Sequence, residues 1–425
     1  EGAQDLNPWV DANTRLVDLN GARGLGVTLG AVSVDVNGTD LTVDLTDADT
    51  VGDVVEMLES AIQTVDPAAT VEIDPLLHNG FRINPAAGPI TISDEAAPAT
   101  AADLGLAGTF PVGGGSGGDI DARLTERTLL SNIAAYPIPP GSIRISNMGQ
   151  MRDLDLTSAE TVQDLMNLVE GLNLGVRVEI AESGDRLNFV NELSGGDMSI
   201  GEVGGTVATD LGVRSYDSHT RLEDFNNGLG VDIRSGSVDP VTGLPDPAAD
   251  VDFVVDLRDG ALLEIDLAGA ETVQDVLDAI NGAAAAAGYT IGADFEARLV
   301  SVGNGIELVD NTGPLSNATG VEARNGSNAA ADLGLLGQAT GANLTSDDRA
   351  TVAVDSLFTH LMDLRDALRS NDERGITLAG EKLEADIARV AEARADVGVR
   401  TRRITDAVAR EEDLRIQDMG LRNEV

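Results

Sequence analysis

Thr50-Val51-Gly52-Asp53-Val54, Thr161-Val162-Gln163-Asp164-Leu165 and Thr272-Val273-Gln274-Asp275-Val276 are one phrase written three times at a constant spacing of 111 residues. A short alternating stretch precedes each: Val43-Asp44-Leu45, Leu154-Asp155-Leu156 and Ile265-Asp266-Leu267. Alternation of apolar and polar residues, as in Leu41-Thr42-Val43-Asp44-Leu45, is the mark of a half-buried strand. The threonine is a good helix N-cap, and the Asp three residues on makes an imperfect capping box. Behind it Val51, Val54, Val55, Leu58 and Ile62 fall on one helical face. Val162, Leu165, Met166, Leu168 and Val169, then Val273, Val276, Leu277 and Ile280, repeat the stripe. Short alternating segments follow, among them Val71-Glu72-Ile73, Phe81-Arg82-Ile83, Ile90-Thr91-Ile92, Val176 to Ile180 and Arg186 to Val190.

The expected unit is therefore two strands, a helix, then two or three strands, an α+β arrangement of helix on a small sheet. Arg15-Leu16, Arg123-Leu124 and Arg221-Leu222 introduce the copies, and Ala102-Asp103-Leu104-Gly105, Thr209-Asp210-Leu211-Gly212 and Ala331-Asp332-Leu333-Gly334 close them. The boundaries read are 13–112, 119–217 and 218–340. The glycine run Gly113 to Gly118 reads as a flexible hinge, and Pro240 to Pro247 as an insertion loop.

From about residue 350 the period changes. Val354, Leu357, Leu361, Leu364 and Leu368 step by three and four, as on an amphipathic helix. A turn at Ser370-Asn371-Asp372 and Gly375 leads to a second helix, with Ile376, Leu383, Ile387, Val390, Val397, Ile404 and Val408 on a heptad grid. Residues 350–425 thus read as a long helical hairpin, coiled-coil-like. Leu357, Leu361, Leu364, Leu368, Leu383, Ile387, Val390, Val397, Ile404 and Val408 are its expected packing and assembly residues. The second stripe is expected to bury against the first helix and against a further, amino-terminal helix.

Of the 425 residues 72 are acidic and 28 basic, a net charge of −44. Residues 351–425 hold 16 acids and 12 bases, so −40 belongs to the repeated part. Such a surface repels phosphate backbones and argues against nucleic acid. No apolar run is long enough to span a membrane. With no cysteine there is neither thiolate catalysis nor Cys-ligated zinc. The start at Glu1 and the uncapped finish at Leu421 to Val425 read as cut ends.

Leu357-Phe358 through Leu361, with Leu364-Arg365-Asp366-Ala367-Leu368-Arg369-Ser370-Asn371-Asp372, resembles the last helical region of flagellar hook–filament junction proteins. Ile387-Ala388-Arg389-Val390 and Arg394-Ala395-Asp396-Val397-Gly398-Val399-Arg400 are similar to it as well. The repeated Thr-Val-x-Asp phrase resembles the flagellin IN-type module. The family's amino-terminal helical half has no counterpart in this sequence, and three tandem modules exceed the usual number. The resemblance implies a structural subunit outside the cell, exported without a cleavable signal peptide and joining hook to filament. Its implied partners are further copies, hook-associated protein and flagellin, with an export chaperone. A filament flagellin with large insertions and a calcium-stabilised adhesin array are the alternatives.

No catalytic residue, cofactor or metal ligand is assigned. His78, His219 and His360 lie far apart in sequence and read as scattered surface or core residues. Asp35-x-Asn37-Gly38-x-Asp40 hints at a calcium loop but lacks the distal Glu, and a hairpin turn explains it. Asp44, Asp155 and Asp266 recur as solvent-facing strand positions. Gly24-x-Gly26-x-x-x-Gly30 precedes no helix signal, and Lys382 is the one lysine, so no phosphate-binding loop exists.

Overall fold

The computed structural model describes residues 2–95, 97–133, 141–314, 317–339 and 343–423. Glu1 and Glu424-Val425, read above as parts of cut ends, lie outside them. The chain is mixed α+β and divides into two units, residues 1–192 with 197–352 and residues 193–196 with 353–425.

The first unit repeats one set of elements. Its first copy runs β1 (Ala31–Val36), β2 (Thr39–Asp44), α1 (Val51–Ile62), β3 (Thr70–Ile73), β4 (Phe81–Asn84), β5 (Ile90–Asp94), α2 (Thr100–Asp103), β6 (Gly108–Phe110) and β7 (Gly115–Ser116). The second has β8 (Ser142–Asn147), β9 (Gln150–Asp155), α3 (Val162–Gly171), β10 (Val176–Ile180), β11 (Leu187–Asn191), β12 (Asp197–Val203) and α4 (Val207–Asp210). A single turn, α5 (Phe225–Gly228), leads to the third copy. There follow β13 (Phe253–Asp256), β14 (Leu262–Ile265), α6 (Val273–Ala286), β15 (Phe295–Leu299), β16 (Val302–Gly303), β17 (Ile306–Asp310) and β18 (Gly320–Ala323). That copy ends with α7 (Ala329–Asp332), β19 (Gly337–Gln338), β20 (Asn343–Thr345) and β21 (Val352–Ala353).

Each copy has an antiparallel sheet built on its first hairpin, in the orders β2-β1-β5-β6, β9-β8-β12-β16 and β14-β13-β18-β19; the second is completed by strands from later in the chain, β16 and β21, both paired with β12. The second sheets are β3-β4-β7, β10-β11 and β15-β17-β20. Buried side chains form three clusters, one per copy. Val51, Val54, Leu58 and Ile62 of α1 enter the first, and the matching faces of α3 and α6 enter the others.

The repeated phrase fixes each helix start by satisfying its free N–H groups. Thr50, Thr161 and Thr272 accept from the amides of Asp53, Asp164 and Asp275, whose carboxylates accept from the threonine amides in return. The capping box read as imperfect is complete in all three. The next donors go to a preceding loop: Val51, Val162 and Val273 donate to the carbonyls of Thr14, Thr128 and Thr220. The introducing anchor is therefore Thr-x-Leu, at Thr14-Arg15-Leu16, Thr128-Leu129-Leu130 and Thr220-Arg221-Leu222. Arg123-Leu124 is out of register with the other Arg-Leu pairs, because Leu129 rather than Arg123 bridges Thr161.

The closing phrases form the single-turn helices α2, α4 and α7. Each ends on a glycine with positive φ, Gly105, Gly212 and Gly334, as a helix C-terminus favours. The glycine run 113–118 is not a hinge. Gly115 and Ser116 pair with β4, Gly117 donates to the Phe81 carbonyl, and Gly118 donates to that of Gly105. A Cβ at Gly105 would stand 2.5 Å from the Gly118 oxygen, so the run permits two backbones to meet. Val238 and Pro245 bridge across the Pro240 to Pro247 loop.

The second unit is dominated by α8 (Leu357–Ser370) and α9 (Glu373–Asn423). Ser356 caps α8 by accepting from the Thr359 amide, and Asn371 ends it in the left-handed conformation. At ~1.5 Å per residue, the 51 residues of α9 span about 75 Å. Gly375, read as part of the turn, lies in its first turns, where a Cβ would sit 2.9 Å from that of Ala367. Its lack of a side chain lets the helices approach.

Candidate functional site

The helical hairpin carries both the apolar stripe and a compact cluster of ionisable side chains. Its seam is small and polar. Thr359, His360 and Ala367 of α8 are buried, as are Ala379 and Asp386 of α9. The leucine stripe of α8 is turned away from this seam: Leu357, Leu361 and Leu368 are exposed and Leu364 is half-buried. On α9, Leu383 is half-buried. Ile387, Val390, Val397, Ile404 and Val408 are each more than half exposed, and Leu414, Ile416 and Met419 extend the exposed series. From Val390 onward almost every described side chain of α9 is exposed, so α8 covers only its first turns.

Where the seam ends, the side chains of Asp355, His360, Asp386 and Arg389 close it. His360 Nδ1 lies 2.7 Å from Asp386 Oδ2, and its Nε2 lies 3.2 Å from Asp355 Oδ1. Both ring nitrogens thus face carboxylate oxygens. Arg389 donates to both oxygens of Asp355, at 2.9 and 3.1 Å, and also to Asp386. Hydrogen bonds from His360 and then Arg389 hold the Asp386 carboxyl below the ordinary aspartate range. The Arg389 guanidinium does the same for Asp355. Asp386 is buried and Asp355 mostly exposed, so the cluster reaches from the seam to solvent.

Asp355, His360 and Asp386 are also the one set among the described residues whose ligand atoms lie within metal-binding reach of each other. Arg389 already fills the carboxylates a cation would need. The arrangement is a salt-bridged latch between the helices, and sequence spacing alone gave no sign of it: 26 residues separate His360 from Asp386.

The other candidates resolve into structural roles. Asn37 and Gly38 both have positive φ, as a type I′ turn requires, and Asp35 accepts from the Gly38 amide. Its carboxylate closes a hairpin. Asp44, Asp155 and Asp266 are exposed and accept from the amides two residues on. His78 stacks on Trp9 with ring centroids 4.4 Å apart, and His219 sits on the turn made by Asp217. Arg400 pairs with Asp396 one helical turn away, and Arg394 is exposed. No helix of the described residues is long and apolar enough to cross a membrane.

No protein-family profile matches the sequence, and no curated protein does. Among solved structures, the crystal structure of the flagellar cap protein FliD from Helicobacter pylori is similar at 13% identity, covering 83% of this chain and 84% of its own. Its TM-score is 0.16, a likeness too slight to bear on fold or function.

Proposed function

We propose that the chain is a non-catalytic structural subunit of the bacterial flagellum, of the hook–filament junction class, acting outside the cell. The observation that carries the reading is α9. A helix of about 75 Å with an apolar series open along most of its length needs neighbours. The resemblance of Leu364 to Asp372 and of Ile387 to Arg400 to junction proteins says which neighbours. Further copies of the chain and adjoining axial proteins then cover the stripe, and the acidic repeats keep the subunit soluble.

The test is immunogold electron microscopy of flagellated cells with antibody against one repeat. A short labelled collar at the hook–filament boundary is expected. Label along the whole filament would make the chain a flagellin with insertions. Absence of label from the flagellum would overturn the reading. In the same cells, Ile404→Glu and Val408→Glu should abolish incorporation while the secreted subunit keeps its folded repeats.

A further inference from the structure

The exposed stripe of α9 keeps a strict seven-residue grid from Ile387 to Asp418. One row steps through Ile387, Arg394, Thr401, Val408 and Arg415, the other through Val390, Val397, Ile404, Glu411 and Asp418. All ten side chains are exposed. Two rows at this spacing are the contact seam of a two-stranded coiled coil, and the seven-residue period keeps the seam turned toward one partner. Charge interrupts the rows, and it is sorted by sign: arginines on the first, carboxylates on the second. That sorting selects the orientation of a partner with the same sequence. In a parallel pair each row meets itself, so Arg394, Glu411, Arg415 and Asp418 would each face their own duplicate, which is repulsive. In an antiparallel pair the first row meets the second, and arginine meets carboxylate.

We propose that α9 pairs antiparallel with α9 of a second copy, about a two-fold axis between Arg402 and Arg403. Arg394 then faces Glu411 of the second copy, and symmetry makes that contact twice. Val397 faces Val408 and Thr401 faces Ile404, so the centre of the seam is apolar. Arg415 and Asp418 fall against Val390 and Ile387 at the two ends, beside water. A slip of one heptad loses the match: Arg394 faces Ile404 in one direction, and in the other Arg415 is carried inward to Val397. The flanks agree with this register. Ala391 and Gly398 on one side, and Ala393 and Ala407 on the other, are small enough for close approach of the axes. Leu414, exposed and off the grid, gains a place over Ala393. The overlap, residues 387–418, is about 48 Å long at ~1.5 Å per residue and lies almost wholly beyond the turns that α8 covers. The pairing uses the stripe on which the proposed function rests, but not its flagellar assignment.

The chain has no cysteine, so single substitutions in the full chain make clean cross-linking probes. Val397→Cys and Val408→Cys chains, mixed and mildly oxidised, should give a disulfide-linked dimer. Either variant alone should give almost none, because its two sulfurs would lie about 16 Å apart along the axis, beyond disulfide reach. Sedimentation equilibrium of the purified chain reads the charges. Arg394→Glu should raise the dimer dissociation constant roughly tenfold or more, since two attractive contacts become repulsive, and adding Glu411→Arg should restore it. All four positions are exposed, so the fold does not depend on them. A monomeric parent chain, self-linking of Val397→Cys as strong as in the mixture, or no rescue by the double exchange would overturn the proposal. A monomeric chain would leave the labelled collar at the hook–filament boundary as it was, and absence of that label would leave the pairing as it was, so the two readings fail separately.

Discussion

Replacing Leu6 by alanine should unfasten the second copy from one end while leaving the other two intact. The side chain is fully buried in the cluster that includes Leu124, Leu187 and Leu211. Removing three buried carbons from such a site costs about 3 kcal/mol, within the ~2.7–5 kcal/mol seen for Leu→Ala in cores. The lower part of that range applies, because the segment is held on one side only and is free to move. Its backbone amides attach to the copy at Ala3 to Gly212, Leu6 to Asp185, Trp9 to Asn132 and Gly2 to the Asn188 side chain, each net worth about 1 kcal/mol. Loss of the side chain removes the apolar part of this attachment, and the segment should loosen from the core around Leu6. Site-resolved hydrogen exchange is the right assay, since a chain with three cores need not unfold in one step. Amides of β11 and of the turn after α4 should lose protection equivalent to about 3 kcal/mol, and those of β4 and β17 should lose none. Deleting residues 1–8 should give the same pattern as the point substitution. A loss below about 1 kcal/mol, or one shared equally by β4, would refute the assignment of Leu6 to the second core.

Thr50→Ala, Thr161→Ala and Thr272→Ala should each weaken the local helix by about 1 kcal/mol and by nearly the same amount, as exchange of the first-turn amides would report. The three caps have donor distances of 3.2, 3.2 and 3.3 Å, so strongly unequal effects would mean that tertiary contacts, not the cap, set the helix start. Acid should open the α8–α9 latch. The carboxyls of Asp386 and Asp355 are lowered in the folded protein. Their contribution is therefore complete above the unfolded aspartate value of about 3.9 and is lost as pH falls through the folded values. Exchange of α8 amides from neutral pH downward should show this loss, and Asp355→Asn with Asp386→Asn should flatten it.

What the sequence carried well was local. A capped helix start is written in adjacent residues, so Thr50, Thr161 and Thr272 marked their helices to the residue, and the alternation of Leu41 to Leu45 marked β2. What failed was long-range. Nothing near Gly113 to Gly118 says that these glycines will meet Gly105, and a glycine run without a partner reads as a hinge. The Arg-Leu pair misled at Arg123 because arginine there is incidental: its counterpart in the second copy is Leu129, and the working residue is the threonine one place before. The leucine stripe of α8 marked an apolar face correctly but not its rotation. Thr359, His360 and Ala367 fill the seam because small groups allow close approach and Asp386 and Asp355 bind the histidine, a pairing that periodicity does not report.

The exposed stripe bears on why the acid is distributed as it is. An isolated helix gains little from propensity alone, so the part of α9 beyond Val390 depends on apolar contact for most of its stability. Contact between copies through that stripe would bring their repeats close as well. At −40 per set of repeats against −4 for residues 351–425, the repulsion falls almost wholly on the repeats. Like-charged repeats would then be driven apart while nearly neutral helices are free to pack, which favours lateral contact through α9 over association through the sheets. Screening gives this argument a sign: salt should let the repeats crowd together without strengthening the helix contact, because the Debye length falls from ~10 Å at 0.1 M to ~3 Å at 1 M while apolar burial is little affected. If copies associate through the open stripe, the acidic surface acts to restrict association to it.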